Sequence, residues 1–334
     1  MPKISVLLLA YNVEKYIEQA IESILVQKTN FDMEILVGND GSTDKTVNIL
    51  RKYEAKYPET IKLHITSKNK GNALDFINLK AASKGKYFTV LDGDDYWIDE
   101  KKLQKQIDFL EKNPEFYVCG HNTHLMKNEK IVGKIYDSAI DKTPYKFQTN
   151  DFKELLLGGN VPYMHTSSLI YKNDFMKDIE YSKWATPYYR GDTIRTFFYG
   201  EKGKIKYLNE IMSVYRLHTD GIYTRLSDVE KEIRHIEFYE YHKNNTFSGE
   251  YKTMFNQVIL NQFSATKKIC KGIFFLQLKY FFLKYSLEIS IYKKNIVRKM
   301  LSYCIQLGFK FLSLFIKGPI EKELKNNYNR GKND

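Results

Sequence analysis

Within the first 120 residues, short apolar runs alternate with amphipathic helical patterns, and that alternation admits few folds. It is the pattern of a parallel sheet whose strands are joined by helices. Strands are expected at 4–10, 34–38, 61–66, 87–91 and 116–120. Between the first two, Ile17, Ala20, Ile21, Ile24 and Leu25 fall on one face of a helix at the i, i+3, i+4, i+7 spacing. A second helix opens after Ser42, Thr43 and Asp44, which are good N-cap residues, and carries Val47, Leu50 and Tyr53 on one side. Ligands of such sheets bind outside the carboxyl ends of the strands. Those ends read Tyr11-Asn12, Asn39-Asp40-Gly41-Ser42 and Asp92-Gly93-Asp94-Asp95, so three polar strand ends converge on one rim. Beyond residue 120 strands are expected at 130–136, 165–171 and 206–215, with a helix after Asp192 and a mainly helical region from about 226.

Composition sets the scale of that fold. A chain of 334 residues, 43% hydrophobic and 15% aromatic, suffices for one large domain with an appendage and is too rich in burying groups for a disordered polymer. The formal charge of +12 is unevenly placed. From residue 251 onward sixteen Lys or Arg face four acids, which leaves the first 250 residues neutral. Cys119, Cys270 and Cys304 have neither zinc-site spacing nor a disulfide framework. The chain begins without a signal-peptide pattern. Lys279, Lys284 and Lys310 interrupt the best apolar stretches before they reach the ~18 residues that span a bilayer. A cytoplasmic location is expected.

The acidic cluster Asp92, Asp94 and Asp95 is the sharpest chemical signal. Three carboxylates at the end of an apolar strand repel one another unless a cation neutralises them. Oxygen-only ligands of this kind suit Mg2+ or Mn2+ bridging phosphates; the plain alternative is a solvated acidic turn bent at Gly93. Asp40 is suited to accept from a base N–H or to bind a ribose hydroxyl, with amides of the following turn near phosphate, or else it caps a helix with Ser42 and Asp44. Tyr11 either stacks on a base or closes the core. No GxGxxG follows the first strand and no GxxxxGK[ST] is present, which sets aside dinucleotide oxidoreductases and phosphate-loop enzymes. His121 and His124 lie near an expected strand end without a third ligand and read as loop residues, not a zinc site.

The stretch Ser5-Val6-Leu7-Leu8-Leu9-Ala10-Tyr11-Asn12, then EILVGNDGSTD at 34–44, Asn69-Lys70-Gly71, and ASKGKYFTVLDGDD at 82–95 resembles glycosyltransferase family 2 in both order and spacing. The resemblance implies an α/β, GT-A (Rossmann-like) fold, a mostly parallel sheet flanked by helices, and inverting transfer of a sugar from a nucleotide donor. It implies that Ala10, Tyr11, Asn12, Asp40, Asn69, Gly71, Asp92 and Asp94 line the nucleotide-sugar, with Tyr11 and Asp40 on the base, usually uracil. On the same resemblance Asp94 contacts ribose or metal and Asp95 ligates the Mn2+ or Mg2+ ion. Asn39 departs from the second Asp of many relatives. Further along, residues 164–170 resemble the strand lining the acceptor side, and Asp192 the catalytic base, or an ordinary helix N-cap. Tyr215-Arg216-Leu217-His218 resembles an element whose histidine approaches the metal or diphosphate; a satisfied strand-end histidine is the alternative. Arg190 and Arg216 are expected on phosphate oxygens, or on surface acids.

These readings divide the chain into a GT-A domain at 1–225, with a nucleotide half at 1–120 and an acceptor half at 121–225, and a helical basic and aromatic region at 226–334. Residues 251–330 interleave Lys with large apolar groups, as at 273–276, 280–283 and 311–316. Such segments read as peripheral anchors on an anionic membrane surface, or as helices that bury these groups against the protein. No nucleic-acid module accompanies the charge. The expected activity is transfer of a hexose from a UDP-sugar to an acceptor hydroxyl, on a lipid-linked cell-surface glycan at the inner face of the membrane. A non-catalytic nucleotide-sugar-binding scaffold is the rival, and the intact acids at 94, 95 and 192 argue against it.

Overall fold

The computed structural model of the chain describes residues 1–69, 71–135, 164–173, 191–219, 221, 224, 226–245, 254–255 and 258–259. Two compact units are formed, Met1–Val258 and Ile259–Asp334. The alternating half of the first comprises β1 (Ile4–Ala10), α1 (Ile17–Leu25), β2 (Met33–Asp40), α2 (Thr46–Lys56), β3 (Ile61–Thr66), α3 (Asn72–Ala82) and β4 (Tyr87–Asp92). Then come β5 (Tyr96–Trp97), α4 (Lys102–Lys112), β6 (Phe116–Lys127), β7 (Lys130–Lys134), a 3-10 turn (Thr166–Ser168), β8 (Ile170–Lys172), α5 (Gly191–Lys202), β9 (Lys204–Arg216) and α6 (Asp228–Asn245).

The strands form one mixed sheet in the order β3-β2-β1-β4-β8-β6-β9-β5, with β7 on the other edge of β6 from β9. β1, β2, β3 and β4 run parallel; β8 is antiparallel to both β4 and β6. All seven residues of β1 are buried, as a central strand covered on both faces requires. Its alternate side chains feed two cores. Leu7 and Leu9 meet Leu36, Phe76, Leu79, Phe88 and Val90 on the α3 side. Val6 and Leu8 meet Ile17, Ile21, Ile24, Leu50 and Ile107 on the side of α1, α2 and α4. Register then levels the strand ends, pairing Ala10 with Asn39, Asp40 with Thr66 and Leu9 with Asp92.

Several expectations change where long-range pairing outweighs local pattern. The strand expected at 165–171 is a 3-10 turn followed by the short β8. The strand expected to stop at 120 continues to Lys127, because β9 pairs along it from Phe116 to Met126. His121 and His124 are therefore strand residues, not loop residues, and His121 is 1% exposed. The polar string His-Asn-Thr-His imitates a turn, but its backbone pairs with a strand some 90 positions away, Thr123 lying opposite Ser213. The basic region from 260 onward lies outside the described residues, and so does the proposed membrane segment apart from Met254, Phe255, Val258 and Ile259. Among the described residues, no helix is long and apolar enough to cross a membrane.

α3 sits close on β2 because Gly38 has no side chain: a Cβ there would lie 2.2 Å from Asp75 Oδ2. Asp75 is 4% exposed, and burial, followed by the charge of Asp40, pushes its carboxyl up to about 7. A raised carboxyl means that the folded chain holds a proton the unfolded chain has released, so stability falls as pH rises from about 4 through about 7. Asp75→Asn removes this loss. Relative to wild type, the variant is expected to gain on the order of 4 kcal/mol by pH 8 and nothing at pH 3. Urea unfolding across that range checks it; a difference independent of pH would refute the assignment.

Candidate active site

The first rim of the site is built from the ends of β1, β2 and β3. Tyr11 is 45% exposed, so it does not close the core. Asn12 follows with a left-handed backbone (φ 50°), its amide donating to Ser42 Oγ at 2.9 Å and its Oδ1 accepting from the Thr43 amide at 2.8 Å. Asn39 is buried and faces the same turn, accepting from the Ser42 amide at 3.1 Å and donating to Ser42 Oγ at 2.7 Å. A weak bond from its Nδ2 to the Ala10 carbonyl, 3.5 Å, ties the turn to β1. Asp44, just ahead of α2, accepts from the Thr46 amide through Oδ1 and from the Glu14 amide through Oδ2, both at 3.0 Å. Asp40 does something else. Its Oδ2 accepts from the Gly71 amide at 2.7 Å and its Oδ1 from Thr66 Oγ1 at 3.2 Å. Asn69 Oδ1 shares that Gly71 amide at 3.0 Å, so Asp40, Asn69 and Gly71 form one cluster.

The second rim is the acidic turn after β4. Gly93 packs closely there, since a Cβ would lie 3.0 Å from the Leu9 carbonyl oxygen. Asp95 turns inward, 1% exposed, and its Oδ1 accepts from the Arg216 amide at 3.0 Å. Its Oδ2 is buried with no hydrogen-bond partner. Burial first, then the charges of Asp94 and Asp92, push its carboxyl well above the ordinary range, against the pull of Arg216. Asp94 meets His218, with Oδ2 2.9 Å from Nε2. Arg216, expected on phosphate, is 5% exposed and engaged by the protein instead. Its guanidinium donates to the Asp94 carbonyl and to Gln19 Oε1 and lies between the rings of Tyr16 and Tyr96, at 5.0 and 4.5 Å. Arg190 lies outside the described residues.

The third side comes from α5 and the 3-10 turn. Asp192 is 9% exposed, and its Oδ1 accepts from the Thr193 amide at 2.6 Å. His165, which sequence reasoning placed only within an acceptor-side strand, stands beside Asp95 with Nδ1 3.6 Å from Oδ2. Burial holds this imidazole down at about 4, against the opposing charges of Asp192 and Asp94. It stacks on Tyr215, whose phenol burial, then Asp95, Asp94, Asp92 and Asp192 in turn, drive upward. Four acids from two elements thus act on one ring. Tyr16 and Gln19 of the α1 region were also missed; nothing in their local pattern marks them as supports of a turn 75 residues on.

The donor set fits a hard divalent cation on one observation: a buried carboxylate, Asp95, keeps an unbonded oxygen within a crowd of like charges. Among the described residues no three His, Cys, Asp or Glu side chains are already grouped as a metal cage.

The sequence profile of glycosyl transferase family 2 matches residues 5–179, just over half of the chain. An uncharacterized protein of Mycobacterium tuberculosis is 31% identical over 222 residues, 66% of this chain, and the chain spans only 60% of that relative's length. An uncharacterized glycosyltransferase of Nostoc sp. is 30% identical over 220 residues, 65% of each chain. Among solved structures, S. aureus TarS 1-349 in complex with UDP-GlcNAc is similar with a TM-score of 0.57 at 18% identity, over 80% of this chain and 74% of that one. The mannosyltransferase PcManGT from Pyrobaculum calidifontis, in complex with GDP-Man and Mn2+, gives 0.52 at 14% identity, over 93% and 87%. These two share the GT-A fold with it, and the profile spans the ends of β1, β2, β3 and β4: the chain belongs to glycosyl transferase family 2.

Proposed function

We propose that the protein is an inverting, metal-dependent glycosyltransferase that moves a hexose from a UDP-sugar to an acceptor hydroxyl. One observation carries this reading: Asp95 buries an unbonded carboxylate oxygen in the same turn as Asp92 and Asp94, and Asp94 Oδ2 lies 2.9 Å from His218 Nε2. Such a concentration is suited to a cationic leaving-group site with a proton acceptor beside it. The UDP-GlcNAc held by TarS and the Mn2+ held by PcManGT support the donor class and the ion at the level of a shared fold.

In this reading the open ring of Tyr11 stacks on the base, Asp40 takes a base N–H or ribose hydroxyl, and Ala10, Asn12, Asn69, Gly71 and Asp92 complete the pocket. Asp94, Asp95 and His218 would hold Mn2+ or Mg2+, which supplies neutralising charge to the diphosphate. Asp192 takes the acceptor hydroxyl proton while that oxygen attacks the anomeric carbon opposite the diphosphate. The new C–O bond forms as the bond to the phosphate oxygen breaks, and the configuration inverts. Residues 1–225 make up the catalytic domain. The basic segment at 251–330 draws the enzyme to the anionic inner face of the cell membrane, where a lipid-linked glycan acceptor resides; its support is the concentration of sixteen cations after residue 250.

Asp95→Asn is expected to abolish metal-dependent turnover with the circular dichroism spectrum unchanged; retained activity, or indifference to EDTA, counts against the ion. Asp192→Asn should keep UDP affinity and lose roughly 10² to 10⁴ in turnover, whereas an equal loss of UDP binding would move Asp192 into the donor pocket. Replacing Lys267, Lys268 and Lys271 by Gln should weaken sedimentation with anionic liposomes, as should added salt, without altering turnover on a short soluble acceptor. Wild-type protein that ignores such liposomes at low salt would end the membrane reading.

A further inference from the structure

His165 is firmly held in the cleft, and the proposed mechanism leaves it without a task. Its ring stacks on Tyr215 with centroids 4.2 Å apart. Nδ1 lies 2.9 Å from Ser167 Oγ and 3.4 Å from the Ser167 amide. Ser167 Oγ continues to Ser213 Oγ at 3.1 Å, and Ser213 to Thr123 Oγ1 at 2.8 Å, so a file of hydroxyls backs the imidazole from β6 and β9. The 3-10 turn itself is pinned. Trp97 Nε1 donates to the Ser167 carbonyl at 2.9 Å, Gln106 Nε2 to the Ser168 carbonyl at 2.9 Å, and Thr89 Oγ1 to the Leu169 carbonyl at 2.7 Å.

All of this support falls on one side of the ring. Nε2 hydrogen-bonds no described residue, and it is not among the buried polar atoms sealed without a partner. A residue only 7% exposed therefore keeps one polar atom neither bonded nor sealed. The ring stands beside the acidic turn, with Nδ1 3.6 Å from Asp95 Oδ2. Resting on the donor reading above, that position adjoins the leaving-group side of the cleft, where the diphosphate joins the transferred sugar.

We propose that His165 Nε2 hydrogen-bonds a hydroxyl of the transferred sugar and so contributes to donor-sugar selection. A hydroxyl suits the atom in either tautomer, accepting from Nε2–H or donating to a bare Nε2, whereas a phosphate oxygen suits only one. The surrounding bonds fix the ring before the sugar arrives, so little side-chain freedom is lost on binding.

The test is calorimetric titration of the full chain, in Mg2+, with UDP and with UDP-glucose, UDP-galactose and UDP-N-acetylglucosamine. The quantity read is the ratio of Kd for the best-bound UDP-sugar to Kd for UDP. His165→Ala is expected to raise this ratio about 5- to 10-fold, the loss of one neutral hydrogen bond, with UDP affinity unchanged. His165→Gln, whose amide reaches the Nε2 position and can donate or accept, should keep the wild-type ratio, and the shorter His165→Asn should behave as Ala does. If UDP and UDP-sugar weaken together, or if Asn and Gln behave alike, the ring is only a support and the proposal fails. If the Ala variant does not fold, the Gln and Asn pair decides. Wild-type protein that binds UDP but shows the same ratio in every variant overturns this inference alone; wild-type protein that binds no uridine nucleotide overturns the donor reading, and the inference with it.

Discussion

A backbone amide holds the acidic turn in place. The Arg216 N–H donates to Asp95 Oδ1 across 121 positions of sequence, and it does so because β9 ends where it does. β5 pairs antiparallel with β9, Tyr96 against Val214, so the residue after Asp95 is clamped to the strand that supplies the amide. The guanidinium then ties the Asp94 carbonyl and Gln19 together between two aromatic rings. Acids that repel one another need such external fixing, and a neutral donor at the end of a strand provides it without cancelling their charge.

Much of the first half was legible in the chain. The seven-residue run of β1 announces a strand covered on both faces, and the polar residues after β2 and β4 announce the rim, because both signals are local. What could not be read was created by pairing at a distance. β6 looks finished at Gly120 until β9 lies alongside it. His165 belongs to a stretch that alternates like a strand but closes into a 3-10 turn, because Trp97, Gln106 and Thr89 reach its carbonyls from three other elements. Arg216 and His218 sit together in the sequence, yet one turns into the protein and the other meets Asp94. The order of residues gives no sign of that division.

Two acids are buried at a cost, and for different reasons. Asp75 fills the space that Gly38 leaves, beside Asp40. Asp95 keeps an oxygen unbonded. Neither helps the apolar cores that Leu7 and Leu8 feed, and a sequence selected only for stability would not keep them. The fold carries them because β1 is sealed on both sides, so its core stays intact while its carboxyl end remains polar and strained.

The place of β8 in the sheet has a consequence for how the chain is made. This three-residue strand slots between β4 and β6, and the Thr89–Leu169 bond that seats it joins positions 80 residues apart. During translation the β4 edge is therefore bare until that segment leaves the ribosome, an interval of roughly 4–16 s at ordinary elongation rates. An open strand edge is a template for unwanted pairing. The parallel half thus emerges early, with its least protected side waiting for a late and very short strand. The slower the intervening residues are made, the longer that edge stands open.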